Sequence, residues 1–155
     1  MATISGRIVN FTSRRLPGLV RFGTRQHVKQ YRASEGTKRA EFRGKPVFLL
    51  DVVGRGSGES RPVMLMLVRR DDDLIVIGSN GGNPVAPNWW KNLVAAGEAE
   101  VEVAGDRWAV DARELEEGPE REECWRLATA VYPDFDSYQQ LTERRIPVGV
   151  LTPKP

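Results

Sequence analysis

Residues 46–68 read PVFLLDVVGRGSGESRPVMLMLV, two apolar runs hinged on a turn of glycines, serines and arginines. Continuous apolar runs of this length, bounded by Gly and Pro, are expected to be strands covered on both faces, here over 46–53 and 62–69. The short turn makes them antiparallel neighbours. Downstream, Asp71, Asp72 and Asp73 turn the chain into a strand over 74–78. Val101 and Val103, then Trp108, Val110 and Ala112, alternate with polar residues about Gly105-Asp106, the signature of a hairpin with one wet face. A last short strand falls over 147–151. Helices are expected over 87–96, 119–131 and 134–144. In the second of these, Cys124, Leu127, Ala128 and Val131 recur at helical spacing and Pro119 suits the first turn. About six short strands joined by hairpins, with helices at the periphery, make a mainly β, α+β fold built on a small antiparallel barrel. Gly54, Gly56 and Gly58 do not make a dinucleotide fingerprint, because the loop enters a strand and offers no helix N-terminus to a phosphate.

The chain has 155 residues, 40% of them hydrophobic and 28% charged, which suits one globular domain. Its net charge of +2 is unevenly spread: residues 1–45 hold eleven basic residues against two acidic ones, a local +9. This region reads as a basic helical arm, and 46–155 as the cofactor-binding domain. Arg21, Arg25, Lys29 and Arg32 share one helical face, with Leu19, Phe22, Val28 and Tyr31 on another. That stripe is a solvated face over the domain, a contact for an anionic membrane surface, or a contact for an anionic ligand tail. Nucleic acid is not an expected partner, since basic and aromatic residues are not interleaved. No apolar run approaches the roughly 20 residues of a membrane-spanning helix, and residues 1–10 lack the apolar core of a signal peptide. With Cys124 as the single cysteine, a reducing cytoplasm fits, with peripheral membrane contact through the arm as the variant.

A second Gly-rich segment, GSNGGNPVAPNWWKNL over 78–93, answers the first. Glycines let backbone N–H groups approach an anion, Arg55 and Arg61 add charge, and Trp89 and Trp90 add flat apolar surface. Together they describe a site for a flat ring with an anionic tail. Self-sufficient catalytic machinery is missing: one histidine, His27, and one cysteine cannot assemble a nucleophile pair or a transition-metal site, so no metal is expected. Glu114, Glu116, Glu117, Glu120, Glu122 and Glu123 read as a solvated helix approach. Any chemistry is expected to belong to a cofactor.

Three ordered motifs, GRGSGESRP, GSNGGNPVAPNWWKNL and VYPDFDSYQQLTERRIPV, resemble those of the deazaflavin-dependent nitroreductase family across residues 46–153. The resemblance implies a split β-barrel related to flavin-binding oxidases. It also implies coenzyme F420, a deazaflavin with a phosphate and oligoglutamate tail, as hydride donor. Carried over, Arg55, Ser57 and Arg61 hold the phosphate and tail, with Gly56 and Pro62 beside them. Gly78, Ser79, Asn80 and Gly81 present backbone to the ring, and Val63, Met64, Met66, Pro87, Trp89 and Asn92 wall and orient it. Met66, Tyr132, Phe135 and Tyr138 border the substrate, while Tyr138 or Ser79, with Tyr132, meets the oxygen of the hydride acceptor. Gly56 stands where the family usually has lysine, Ser60 where it has proline, and Met66 where some members have an aromatic. The acceptor implied is a quinone, an activated enone or a nitroaromatic. FMN in the same barrel class, or a non-catalytic deazaflavin carrier or membrane-associated module, are the alternatives, and a homodimer is a further expected partnership.

Overall fold

The apolar segment after Lys45 forms the central strand of the barrel, and its alternation explains why both faces are apolar. The computed structural model describes residues 17–36 and 40–155, with helix side chains from Arg25 onward. Leu19, Arg21 and Phe22 of the expected stripe lie outside the described side chains. The elements are α1 (Pro17–Ala33), β1 (Glu41–Phe42), β2 (Lys45–Val53), β3 (Ser60–Met66), β4 (Val68–Arg70), β5 (Asp73–Ile77), a 3-10 turn (Asn80–Gly82), α2 (Asn88–Ala96), β6 (Glu98–Val103), β7 (Asp106–Glu114), α3 (Pro119–Val131), α4 (Asp134–Gln140) and β8 (Val148–Pro153). On β2, Phe48, Leu50 and Val52 face a core with Leu74, Val76, Trp90, Val101, Val110 and Leu151. Leu49, on its other face, packs under Val28 and Tyr31 of α1.

The sheet is antiparallel throughout and runs β1-β2-β6-β7-β8-β5-β4, while β3 pairs with the other edge of β2. Only Leu67 separates β3 from β4, and its N–H donates to the Pro46 carbonyl at 2.8 Å. One bent run of chain thus joins the two ends of the sheet and curls it into the split barrel. The single strand expected over 62–69 is therefore two. The chain changes partner from β2 to β5 at Leu67, and such a corner interrupts the ladder. Residues 63–67 are only half buried, against the expectation of a strand covered on both faces. Their uncovered side borders the cavity described below.

The remaining corrections are local. The β6–β7 turn sits on Ala104-Gly105, at φ 50° and 90°, one residue earlier than the Gly105-Asp106 expected. Helix α4 stops at Gln140 where 134–144 was expected. Gln139 ends it: its amide donates to the Arg144 carbonyl at 2.9 Å and its oxygen accepts from the Ile146 N–H at 2.9 Å.

A second core cluster lies beneath α3 and α4, where Ile75, Ile77, Val148 and Val150 meet Cys124, Ala128, Tyr132, Phe135 and Tyr138. Alternate residues of β5 and β8 thus serve two cores, which is why both strands read as unbroken apolar runs. Helix α1 is fixed by Tyr31, whose hydroxyl accepts from the Ala104 N–H at 2.9 Å and donates to the Glu102 carbonyl at 3.2 Å. Its Arg32 pairs with Asp51 on β2. None of the described helices is long and apolar enough to cross a membrane.

Candidate functional site

The partner change at Leu67, the loop after β5 and the start of α4 enclose a cavity of about 310 Å³. Its walls are largely apolar. Met64 and Met66 come from β3, Ser79, Asn80 and Gly81 from the loop, Trp89 from α2, and Tyr132, Phe135 and Tyr138 from the α3–α4 region. His27 of α1 and Phe42 of β1 complete it. A second, more open cavity of about 640 Å³ is lined by Arg55, Gly56, Ser57, Arg61, Pro62 and Asn92, with Arg25 and Asn88. Val63 and Trp89 line both, so an apolar chamber and a cationic one adjoin across one tryptophan.

Local sequence explains each wall. Asn80, Gly81 and Gly82 all have left-handed backbone, with φ of 47°, 59° and 75°. Two glycines make that run accessible. A β-carbon on Gly82 would lie 2.5 Å from the Tyr138 carbonyl oxygen, so the loop touches α4 through bare backbone. Behind the loop, Arg144 donates from Nε to the Asn83 carbonyl at 2.7 Å, from Nη2 to Ser79 at 2.7 Å, and from both Nη atoms to Gly78 at 3.2 Å. Among the described residues it has no carboxylate partner, and burial lowers its pKa. Its charge is spent on carbonyl dipoles that would otherwise be unpaired.

In the aromatic wall, the hydroxyls of Tyr132 and Tyr138 share a hydrogen bond at 2.9 Å, and Phe135 packs edge-on to both rings at 5.1 and 6.3 Å. Burial, reinforced by the Tyr132 hydroxyl, raises the Tyr138 pKa well above its ordinary 10.0. Tyr138 is thus a protonated hydrogen-bonding group across the neutral range.

In the cationic chamber, Asn92 is buried and its carbonyl oxygen accepts from the Arg55 N–H at 3.2 Å and from its guanidinium at 2.7 Å. Arg55 is therefore held in place by a neutral partner that leaves its charge intact. Arg61 donates to Ser57 Oγ at 3.2 Å and pairs with Glu59 at 3.3 Å, with its side chain 51% exposed.

Of the ring, tail and substrate residues singled out in the sequence, all but three line one chamber or the other. Gly78, Pro87 and Trp90 do not. Gly78 is buried where a β-carbon would meet the Pro147 side chain at 2.7 Å and Trp90 at 3.1 Å. Pro87 caps the start of α2. Trp90 is core, 5% exposed and edge-on to Trp89 at 5.7 Å, and it does not share its neighbour's place at the site. Asn92 lies in the cationic chamber behind Arg55. Arg25 was foreseen only through the basic stripe, for which an anionic ligand tail was one of three readings. Sequence reasoning missed His27 and Phe42 as lining residues, and Arg144 as the clamp of the loop, because these depend on contacts far apart in the chain.

Comparison with known proteins gives the same assignment. Residues 23–153 match the model of the F420H(2)-dependent quinone reductase family, a match that begins inside the basic arm. An F420H(2)-dependent quinone reductase of Mycobacterium tuberculosis is 30% identical over 131 residues, covering 83% of this chain and 88% of that protein. A solved F420-H2 dependent reductase, FDR-A, superposes with a TM-score of 0.64 at 37% identity over 68% of this chain and 93% of that one. A structure described as a domain-swapped dimer superposes with a TM-score of 0.67 at 33% identity, covering 86% and 96%. The chain therefore belongs to the F420H(2)-dependent quinone reductase family, whose members are oxidoreductases that use the deazaflavin coenzyme F420.

Proposed function

We propose that this chain reduces a quinone with coenzyme F420 bound across its two chambers. The observation that carries the reading is the junction at Trp89, where a largely apolar cavity adjoins a cationic one. A ring and an anionic tail need that pairing, and the residues present fit it. When bound in its reduced form, the coenzyme supplies the hydride. Arg55, preset by Asn92, and Arg61 with Ser57 receive the phosphate and tail. Met64, Met66, Trp89 and the backbone of Ser79, Asn80 and Gly81 form the wall for the ring. The aromatics of the α3–α4 region leave an apolar space beside it and keep water out, which strengthens every polar contact made there.

Tyr138 is the candidate donor to the acceptor's oxygen, with Tyr132 holding its hydroxyl in place. Its raised pKa makes it a hydrogen-bond donor that stabilises developing negative charge without itself ionising. Ser79 is the alternative donor. The basic stripe of α1 fits the tail better than a membrane surface, because Arg25 lines the cationic chamber and Arg32 is tied to Asp51. The domain-swapped dimer among the structural relatives supports a second copy as partner.

The test is turnover. With reduced coenzyme F420, the protein reduces 1,4-naphthoquinone, and Tyr138→Phe lowers kcat by about tenfold while cofactor affinity stays level. Full activity in that variant transfers the role to Ser79 or water. Tight cofactor binding without reduction of any quinone, enone or nitroaromatic makes the protein a carrier.

A further inference from the structure

Phe42 stands out among the exposed apolar residues. Among the described residues, the large hydrophobics left open to solvent are Phe42, Val53, Val85 and Val94, and of these only Phe42 lines the apolar chamber. It is 40% exposed on a two-residue strand. That strand turns through Arg43 and Gly44, both left-handed at φ 54° and 72°, into β2. The hairpin does not hang free. Arg43 pairs with Asp134 at 3.4 Å, at the start of the helix that carries Phe135 and Tyr138, and its guanidinium lies 5.5 Å from the centre of the Phe42 ring. One short hairpin thus brings an aromatic face to the chamber and is tied to the chamber's aromatic wall.

Leaving a phenylalanine part-exposed at a cavity costs free energy that a bound apolar molecule recovers when it covers the ring. A chamber lined by Phe42, Tyr132, Phe135 and Tyr138 favours a flat molecule over a bulky one, because planar groups stack on aromatic rings and branched ones do not. The cofactor's phosphate and tail belong in the other chamber, with Arg55 and Arg61, where Phe42 has no part.

We propose that Phe42 is a specificity-determining residue for the hydride acceptor: its open face receives a planar apolar molecule of the quinone class, and the Arg43–Asp134 pair keeps it aligned with the aromatics of α4. This rests on the quinone reductase reading above. It assigns the acceptor to contacts from two segments far apart in the chain, the β1–β2 hairpin and helix α4.

The experiment compares wild type, Phe42→Ala, Phe42→Trp and Arg43→Met. Cofactor affinity is read by tryptophan quenching, 1,4-naphthoquinone affinity by calorimetry without cofactor, and KM and kcat by turnover. Phe42→Ala is expected to raise the naphthoquinone dissociation constant and KM about tenfold, as follows from uncovering a part-buried aromatic. Cofactor affinity and kcat stay unchanged. Phe42→Trp restores KM, and Arg43→Met raises it by a smaller factor. Unchanged naphthoquinone binding in Phe42→Ala overturns the proposal, as does a parallel loss of cofactor affinity. A wild type that binds naphthoquinone but passes no hydride to it refutes the reductase reading instead, and the calorimetric arm still decides the role of Phe42.

Discussion

Gly56 lines the cationic chamber at the position where the motif that this chain resembles usually has lysine. A β-carbon there would meet nothing within 4 Å, and the backbone lies outside the left-handed region. Nothing in the fold demands glycine, so Gly56→Lys should be accommodated without strain. It is expected to tighten deazaflavin binding by about 1 kcal/mol at low ionic strength, with the gain fading as salt screens an exposed charge. Salt-dependent titrations of both proteins check this, and equal affinities at every ionic strength would place position 56 outside the tail's reach. At this scale the sequence was informative where a residue type implies its own chemistry: Arg55 and Arg61 beside glycines read as an anion site, and the structure gathers both around one cavity. Residue type alone did not say which tryptophan of the Trp89-Trp90 pair faces the site, since either fits a helix start; the motif resemblance pointed to Trp89. What buries Trp90 is bare backbone at Gly78 and Gly149, where β-carbons would lie 3.1 and 2.9 Å from its ring.

At the level of elements, the loop after β5 depends on a residue more than sixty positions later. Arg144 satisfies three carbonyls of that loop, and its own carbonyl accepts from Gln139, whose side chain ends α4. Arg144→Gln removes the charge-assisted bonds and leaves buried carbonyls unpaired, which is expected to cost about 2 kcal/mol of stability. Urea unfolding reads that loss as a lower midpoint at unchanged slope. Affinity for the cofactor should fall with it, because Ser79, Asn80 and Gly81 are the wall the clamp holds. Unchanged stability would mean that water replaces the guanidinium. Local pattern predicted the strands within a residue or two, because each strand's alternation is set by its own neighbours. It failed at the corner on Leu67, set by the distant Pro46 carbonyl, at β1, tied to Asp134, and at the end of α4, where the Gln139 side chain bonds Arg144 and Ile146.

For the whole molecule, the barrel serves to hold two unlike chambers against each other across Trp89. The barrel class was legible from hairpin spacing, since tight turns leave few alternatives to antiparallel neighbours. The pairing of chambers was legible only in part: the two Gly-rich segments named both ingredients, but their meeting depends on β3 bending from β2 to β5 and on α2 crossing the end of β2. The central claim is that the pair of chambers is matched to a deazaflavin with its long anionic tail. The direct measurement is a side-by-side titration of the wild-type protein with coenzyme F420 and with FMN, following tryptophan fluorescence, because Trp89 touches both chambers. The account predicts quenching that saturates with a micromolar or lower dissociation constant for F420, and FMN binding at least about tenfold weaker. FMN binding as tight as F420 or tighter would contradict it.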